Sequence, residues 1–274
     1  MAEKIAVDFG GTNIRVAVVS GRRIKAKATI ATEPEKGFDV SYGNIIETIR
    51  SMWKHNIKSI NICCPAPMDI ERGVILGPRN LPGWKHVPIR ENLERIFHVR
   101  CRLNNDANCF ALGEALYGAG RGHHTVAGII LGTGLGMGIV INKDIFEGNS
   151  SAAGEIGRIP FRKGELEDYC SSHFFKKHPK AVEDEARKGN RNALKEYKEF
   201  GKNVGAMLGI VVNTIDPEII VLGGGISNAY DLFRDEMMKE LKKSIYPLSF
   251  EKIKIVKSGL KDAALLGAAS LSQD

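Results

Sequence analysis

A hairpin pattern with a glycine tip occurs twice and restricts the possible fold more than any other feature of this sequence. The first copy, residues 4–19, places the tip "DFGGTN" between two apolar runs. The second copy, residues 125–141, places the tip "LGTGLG" between two similar runs. Recurrence of one such unit about a domain length downstream predicts two related lobes that face each other.

Strand and helix patterns alternate around both hairpins, which predicts a mixed sheet with helices in each half. The predicted strands beyond the hairpins are 24–32, 59–65, 99–106, 218–225 and 252–258. The predicted helices are 42–56, 89–98, 107–118, 193–215, 229–244 and 262–272. No low-complexity linker separates the halves, so we expect hinges of ordinary structure near residues 106–111 and 259.

Composition indicates a globular cytoplasmic protein. The 274 residues are 43% hydrophobic and 26% charged, and they contain no apolar stretch long enough to span a membrane. The net charge is +7, but the Lys and Arg residues are scattered, so we expect no nucleic-acid partner. Five cysteines without a CxxC pair favour reduced, buried thiols over a disulfide framework.

The glycine tips are candidate phosphate-binding loops, because backbone N–H groups without a neighbouring Cβ can approach an anion closely. A plain tight turn explains either tip alone about as well, and only the pair favours a polyphosphate held between the lobes. Asp8 precedes the first tip and is a candidate to hold hydrated Mg²⁺. The predicted phosphate-binding residues are Gly10, Gly11, Thr12, Gly132, Thr133, Gly134 and Gly136.

A third glycine cluster, Gly223, Gly224 and Gly225, follows a predicted buried strand. It fits either an ordinary strand-to-helix turn or a flat slot for a nucleobase and ribose. The cluster lacks the GxGxxG spacing of a dinucleotide fingerprint, so the pattern does not favour a nicotinamide cofactor.

Seven motifs together resemble one known family. They are "DFGGTNIR", "NLPGW", "NNDAN", "LGTGLGMGIV", "AGEIG", "LEDYCS" and "DPEIIVLGGGIS". Their order and spacing are similar to those of the ROK family (repressors, open reading frames and sugar kinases), within the actin, hexokinase and heat-shock ATPase superfamily. The resemblance covers residues 5 to about 270.

The resemblance implies a two-lobed α/β fold of the actin-like ATPase (ribonuclease H-like) type, with the active site in the cleft between the lobes. The implied small lobe is 1–106, with the C-terminal helix 260–274 packing back on it, and the implied large nucleotide-binding lobe is 107–259. The implied activity is ATP- and Mg²⁺-dependent phosphorylation of the 6-hydroxyl of a hexose or N-acylhexosamine, with glucose and N-acetylmannosamine favoured. Relatives are commonly dimers or tetramers, and we expect a homodimer.

Asp106 in "NNDAN" has two interpretations. As the residue that opens a predicted helix it could be an N-cap, and the helix N-terminus should then lower its basicity. A loose phosphoryl-transfer transition state tolerates a weak but well-placed base. The resemblance assigns Asp106 as the catalytic base that takes the proton from the sugar hydroxymethyl, and Asn105 as a ligand of neighbouring hydroxyls.

By the same resemblance, Glu155 in "AGEIG" and Glu167 in "LEDYCS" bind sugar hydroxyls. The alternatives are a surface glutamate for Glu155 and an acid at a helix N-terminus for Glu167. In "NLPGW", Asn80 and Gly83 form a wall of the sugar pocket, and Trp84 anchors the loop by burial.

The sequence departs from the family pattern after Glu155. Relatives have a His followed by three Cys that bind a structural zinc, whereas this chain has Arg158 in place of the His and Glu165 in place of the last Cys. The spacing of Cys170, His173 and His178 does not match a tetrahedral site, so we expect no zinc. Arg158 offers only hydrogen-bond donors at a sugar-binding position, which makes the sugar of zinc-containing relatives a poor guide.

Three alternatives remain at this point. A sugar-responsive ROK repressor would carry an N-terminal helix-turn-helix, for which the hairpin near residue 5 leaves no room. A chaperone-like ATPase of the superfamily would lack the acceptor motifs. A kinase that uses ADP or polyphosphate as donor could have the same hairpins.

Overall fold

The computed structural model describes residues 2–78, 81, 83–178 and 183–271. The first half contains nine regular elements before the helix that joins the lobes. They are β1 (Glu3–Phe9), β2 (Asn13–Ser20), β3 (Arg23–Ala31), α1 (Phe38–Ser51), β4 (Ile57–Cys64), β5 (Met68–Asp69), β6 (Val74–Ile75), α2 (Ile89–Phe97) and β7 (Arg100–Asn105). The joining helix is α3 (Asp106–Tyr117).

The second half repeats this plan with inserted short elements. It begins with β8 (Thr125–Leu131), β9 (Leu135–Ile141), β10 (Asp144–Ile145), β11 (Pro160–Phe161), β12 (Gly164–Glu165), α4 (Leu166–Cys170), α5 (Ser172–Lys177) and α6 (Glu183–Arg187). It ends with α7 (Arg191–Ile215), β13 (Ile219–Gly223), α8 (Tyr230–Ser244), α9 (Pro247–Lys252), β14 (Lys254–Lys257) and α10 (Ala263–Ser270).

The two main sheets have the same topology. Their strand orders are β3-β2-β1-β4-β7 and β10-β9-β8-β13-β14. In each sheet the first three strands in this order pair antiparallel. The third, fourth and fifth strands, β1-β4-β7 and β8-β13-β14, pair parallel. The tight glycine turns permit the antiparallel pairs, whereas helical crossovers are needed for the parallel ones. The duplicated hairpin thus marks a duplicated sheet.

The central strand of the first sheet is buried on both faces. Ile5 and Val7 belong to a core that also contains residues of α1 and α2, and Ala6 belongs to a core between the lobes. All three side chains are fully buried. A strand covered by helices on both sides has a continuous apolar run rather than an alternating one, as "IAV" at residues 5–7 does.

Helices α3 and α10 cross between the two sheets through a reciprocal glycine contact. A Cβ added to Gly113 of α3 would lie 2.1 Å from the carbonyl oxygen of Ala263. A Cβ added to Gly267 of α10 would lie 1.7 Å from the carbonyl oxygen of Cys109. Gly113 lies four residues after Cys109 in α3, and Gly267 lies four residues after Ala263 in α10. Each helix therefore offers the same pair of positions, one turn apart, to the other helix, as in an internal twofold relation between the lobes.

Helix α10 also contacts the first sheet directly. Lys4 donates from Nζ to the carbonyl oxygen of Ala269 at 2.8 Å, and Asn61 donates from Nδ2 to that of Ala268 at 2.8 Å. These bonds join the end of the described chain to β1 and β4. The predicted division into 1–106, 107–259 and 260–274 remains a prediction.

The predicted α/β class and the alternating order of strands and helices are confirmed. All five cysteines are buried free thiols. No helix within the described residues combines the length and apolar character needed to cross a bilayer.

Candidate active site

The first hairpin tip is a closed, exposed turn at the carboxyl end of β1. Gly10 N donates to the carbonyl oxygen of Asn13 at 3.0 Å, and Thr32 Oγ1 donates to the carbonyl oxygen of Gly10 at 2.7 Å. The amide of Gly10 therefore closes the turn. Of the predicted donors in this tip, Gly11 and the exposed Thr12 are the ones placed to approach an anion.

The second hairpin tip is held by hydrogen bonds from Ser172, the first residue of α5. Gly132 N donates to the carbonyl oxygen of Gly134 at 3.1 Å, which closes this turn. Ser172 donates from its backbone N to the carbonyl oxygen of Gly132 at 2.8 Å and from Oγ to that of Thr133 at 3.1 Å. Thr133 is exposed, whereas Gly136 lies within β9, where an added Cβ would be 3.1 Å from the side chain of Ala107. Packing against α3 accounts for this last glycine.

Asp8 is buried and is not alone. In the register of β1 and β2 it lies opposite Arg15, and the two side chains form an ion pair. Arg15 also reaches Asp262, just before α10, with 3.4 Å between Nη1 and Oδ1. Neither Arg15 nor Asp262 was among the predicted site residues. Strand pairing within the hairpin could have signalled Arg15, because alternation puts residues 8 and 15 on the same face.

The third glycine cluster borders a cavity between the lobes. The cavity measures about 290 Å³, and its lining includes Gly223, Gly224, Arg15 and Lys257. An added Cβ would lie 2.4 Å from the Phe110 ring at Gly223 and 2.3 Å from a backbone oxygen at Gly224, where φ is +84°. Both positions therefore exclude larger residues on packing grounds.

Gly225 differs from its two neighbours. No atom lies within 4 Å of a Cβ added there, so this position faces open space. Of the three glycines, it is the one placed as a nucleobase slot would require.

Asp106 opens α3, but it is not the N-cap. Asn105 is the N-cap, since its Oδ1 accepts from the backbone N of Asn108 at 2.6 Å. Asp106 Oδ1 accepts from the backbone N of Ala107 at 2.9 Å. The N-cap interpretation of Asp106 is therefore wrong.

The expected loss of basicity at Asp106 is also wrong. The pKa of Asp106 rises from 3.8 to about 6, first because of burial and second because of the negative charge of Asp8. Hydrogen bonds from backbone N–H groups lower its pKa, and Glu155 raises it further. Desolvation outweighs the helix N-terminus here, and the result is a carboxylate poised for proton transfer near neutral pH.

A cross-cleft hydrogen bond supports the start of α3. Asn104 Oδ1 accepts from Asn105 N at 2.8 Å and from Asn108 Nδ2 at 2.9 Å. Asn104 Nδ2 donates to Oε1 of Glu147, in the loop after β10, at 2.7 Å. A side chain from the second lobe thus holds the segment that carries Asp106. Sequence reasoning missed Glu147, because no motif marks it.

The predicted sugar ligands Glu155, Arg158 and Glu167 are charged, and the charge of Glu155 acts on Asp106. Glu155 is exposed as a residue, yet partial burial of its carboxyl group raises its pKa, Arg158 lowers that pKa and Glu167 raises it. Glu167 Oε2 accepts from the backbone N of Leu135 at 2.9 Å, so one of its two oxygens is bound to the second hairpin. The charges of Arg158 and Glu167 thus both act on the carboxyl group of Glu155.

The "NLPGW" loop is described only in part, and Asn80 lies outside the described residues. Gly83 has φ of +89°, a conformation that favours glycine. Trp84 is 1% exposed and donates from Nε1 to Ser41 Oγ at 3.0 Å. The role of Trp84 is therefore the anchoring one.

The region where relatives carry zinc is held here by other contacts. Arg158 and Glu165 approach to 3.7 Å, and Glu165 forms a capping box with Asp168 at the start of α4. His178 binds Glu196 at 2.7 Å, and Cys170 is fully buried. Within the described part of the chain, no three His, Cys, Asp or Glu side chains come together as metal ligands. The expected absence of zinc stays a prediction.

A family model described as the ROK family matches residues 4–274. This chain belongs to the ROK family. The glucokinase of Thermotoga maritima is 29% identical over 307 aligned residues, which cover 98% of this chain and 97% of that protein. The N-acetyl-D-glucosamine kinase of Vibrio cholerae is 30% identical and covers 97% of this chain and 98% of its own.

A solved structure shows the same fold. The crystal structure of a ROK family glucokinase from Streptomyces griseus, in complex with glucose and AMPPNP, superimposes with a TM-score of 0.84 at 26% identity. The match covers 98% of this chain and 99% of that one. The resemblance to ROK sugar kinases and the predicted two-lobed, actin-like ATPase fold are both confirmed.

Proposed function

We propose that this protein transfers the terminal phosphoryl group of ATP to the 6-hydroxyl of a hexose or N-acylhexosamine. Glucose, N-acetylmannosamine and N-acetylglucosamine are the leading acceptors, the first and last because relatives carry those names. The observation that carries the proposal is Asp106, a carboxylate at the start of α3 with its pKa raised to about 6. The two glycine hairpins, one from each lobe, support it, because both offer backbone amides to a phosphate chain.

On the acceptor side, Asp106 takes the proton of the attacking hydroxyl. A base with a pKa near 6 is ionised at neutral pH and still basic enough to accept that proton as the O–P bond forms. Glu155 and the oxygen of Glu167 that does not bind Leu135 accept hydrogen bonds from ring hydroxyls, and Arg158 donates to a ring or acyl oxygen. These contacts aim the hydroxymethyl group at the donor.

On the donor side, the hairpin amides and the exposed Thr12 and Thr133 hydroxyls hold the phosphates. Asp8 fits a hydrated Mg²⁺, because this ion takes one or two carboxylates together with phosphate oxygens and water rather than a closed cage of side chains. When bound, the ion neutralises charge on the phosphate chain. Closure of the lobes excludes water, which limits hydrolysis of the donor.

The test is a panel of hexoses and N-acetylhexosamines incubated with ATP and Mg²⁺, with ADP release measured in a coupled assay. Phosphorylation of at least one sugar at the 6-position, verified by NMR of the product, is the expected result. If ADP or polyphosphate supports phosphorylation and ATP does not, the protein is a sugar kinase with a phosphoryl donor other than ATP. Sugar binding by calorimetry without turnover on any donor would contradict a kinase and favour a sugar-responsive regulator.

A further inference from the structure

The predicted sugar ligands Arg158 and Glu167 lie on either side of one short hairpin. Arg158 ends a short 3₁₀ helix shortly before β11, and Glu167 lies in the first turn of α4, directly after β12. Strands β11 and β12 have two residues each, and Leu166 N donates to the carbonyl oxygen of Ile159 at 2.9 Å at the base of the hairpin. The conformation of this hairpin therefore affects how the two ligands are placed relative to each other.

Local pairing alone is a weak basis for such a hairpin. An isolated two-stranded hairpin is at best marginally stable in water, and α4 has five residues, which is too short for a stable isolated helix. The turn residue Arg162 also has a φ of +52°, which is unfavourable for a residue with a Cβ. Contacts with the rest of the second lobe must therefore hold the hairpin in place.

One group of side chains supplies such contacts, and Arg162 is at its centre. The guanidinium carbon of Arg162 lies 5.3 Å from the centre of the Phe161 ring and 5.5 Å from that of the Tyr169 ring. The two rings meet edge to face at 5.4 Å. Arg162 Nη1 also donates to Oε1 of Glu199, on α7, at 3.4 Å. These four residues, here called the Arg162 cluster, join the hairpin to α4 and α7.

The ring contacts should contribute more to the cluster than the ion pair does. The side chain of Arg162 is 46% exposed and that of Glu199 is 36% exposed, and an ion pair so open to water contributes little. A guanidinium is weakly hydrated and stacks well on aromatic faces. Phe161 and Tyr169 are half-buried and pack against the core of the second lobe. The rings thus connect Arg162 to a rigid part of the molecule.

The residue types of this segment do not fit the zinc that the family pattern implies. Arg158 stands at the position of the ligand His, and a guanidinium has only N–H donors, so it cannot bind a cation. Residues 159–164 contain no Cys, His, Asp or Glu but include Arg162 and Lys163. Glu165 lies 3.7 Å from Arg158 and takes part in the capping box of α4. Three positive side chains around one engaged carboxylate would repel a divalent ion.

We propose that the Arg162 cluster positions the acceptor-binding residues of this chain and takes the place of a structural metal. The cluster holds the β11–β12 hairpin against α4 and α7, and the hairpin in turn places Arg158 and Glu167 relative to the sugar. Arg162 acts through the hairpin and is a positioning residue, not one that touches substrate. The inference rests on the proposed function, because that function makes Arg158 and Glu167 sugar ligands.

The first measurement is hydrogen–deuterium exchange, which needs no activity. Arg162→Met should speed exchange about three- to tenfold over residues 155–170 and leave α8 unchanged, because the cation between the rings is lost. Arg162→Lys keeps a cation for the rings and should show a smaller effect. Lys163→Met is the matched control, since Lys163 is an exposed cation on the same turn, and it should match the wild type. Melting temperatures verify that all variants fold.

The second measurement is steady-state kinetics with the preferred sugar and ATP. Arg162→Met should raise KM for the sugar about three- to tenfold and change kcat and KM for ATP less than about twofold, because the base and the donor site are untouched. Arg162→Lys should recover part of the lost affinity. Tyr169→Leu should also raise KM for the sugar, and the double variant should be no worse than the more severe single variant, because both changes break one contact.

The third measurement tests the disagreement with zinc directly. The melting temperature of the wild type should be the same with added zinc chloride and with EDTA, since nothing in the segment would bind the ion more tightly in the folded chain. A rise of several degrees at micromolar zinc would show a metal site and contradict the replacement.

The other results that would overturn the inference are distinct from one another. Unchanged exchange over residues 155–170 in Arg162→Met would show that the cluster does not hold the hairpin. Faster exchange with an unchanged KM for the sugar would show that the hairpin does not place the ligands. Additive effects of Arg162→Met and Tyr169→Leu on KM would mean that Arg162 contacts the sugar itself. A wild type that phosphorylates no sugar would contradict the proposed function, and exchange would still decide whether the cluster holds the hairpin.

Discussion

The two hairpins share a sheet topology but differ in chemistry. In the first, the paired residues one step before the end of the hairpin are Asp8 and Arg15, which form an ion pair. In the second, the paired residues one step before the end of the hairpin are Ile130 and Gly136. At this position the first hairpin thus carries a pair of charges, whereas the second carries an apolar side chain and a glycine.

The first turns of the two crossing helices, α3 and α10, also differ in charge. Helix α3 begins with Asp106, whose pKa is raised to about 6 and whose neighbours are other acids. When Gly113 of α3 is aligned with Gly267 of α10, α10 begins three residues later than α3. The residue before α10 is Asp262, which forms ion pairs with Lys27 and Arg15. The two helices therefore share a framework but differ in the charges around their first turns, and burial without a cation raises the pKa of Asp106.

The largest expected effect comes from Asp106→Asn, which keeps the shape of the side chain and removes the base. We expect kcat to fall about 100- to 10,000-fold with an unchanged melting curve at low pH. In the wild type, kcat/KM should fall about tenfold per pH unit below pH 6, as the base is protonated. Steady-state kinetics on the preferred sugar measures both.

Asp144→Asn serves as the control for that variant, because Asp144 is an exposed acid on β10. Its kinetics should match the wild type. Retention of more than a tenth of kcat by Asp106→Asn would show that Asp106 is not the base.

The shared framework can be tested at the helix crossing. Gly267→Ala should lower the free energy of unfolding by about 3 kcal/mol, because the added Cβ meets a backbone oxygen that cannot rotate away. Gly113→Ala should cost a similar amount if the contact is truly reciprocal. Denaturant unfolding measures both values.

Gly259→Ala is the matched control, since nothing lies within 4 Å of its added Cβ. It should change the free energy of unfolding by less than about 0.5 kcal/mol. A much smaller cost for Gly113→Ala than for Gly267→Ala would break the proposed symmetry.

Stability should move in the opposite direction to activity at Asp106. Its pKa is higher in the folded chain than in the unfolded one, so ionisation favours unfolding. The cost is absent below pH 4, grows between pH 4 and 6 and is complete above pH 6. Asp106→Asn should therefore be up to about 3 kcal/mol more stable than wild type at pH 7 and equal to it near pH 3.5. Equal stability at both pH values would mean that Asp106 is well solvated.

The smallest effect is expected at Glu147, the side chain of the second lobe that binds Asn104 next to the start of α3. Glu147→Ala removes the acceptor for Asn104 Nδ2 and should lower kcat about three- to tenfold, because one hydrogen bond that positions α3 is lost. Glu147→Gln keeps an oxygen acceptor and should recover most of kcat. If both variants lower kcat equally, the charge of Glu147 rather than its hydrogen bond is what matters.

Long periodic elements could be predicted from the sequence, and short ones could not. The segment predicted as a helix over 193–215 forms α7 with its C-terminal end unchanged, and the first helix begins at Phe38 instead of residue 42. The elements from β11 to α6 have two to six residues each, which is too short for a periodic signal. Their positions depend on contacts such as Ser172 with the second hairpin.

The candidate site divides in the same way. Asp106, Glu155 and Glu167 could be predicted because each lies within a short continuous motif that resembles the family pattern. Glu147 acts through a partner 43 residues away, and no local pattern marks it. Arg15 pairs with Asp8 within the hairpin, which strand register could have signalled, but its approach to Asp262 spans 247 residues.

The amino-acid sequence by itself determined the two glycine hairpins, the order of strands and helices, and the family. These depend on backbone freedom and on apolar patterns that are local in the chain. Only the tertiary structure decided which carboxylate is basic and which is paired. Desolvation at Asp106, and the approach of Arg15 to Asp262 across 247 residues, depend on what the folded chain places around each charge.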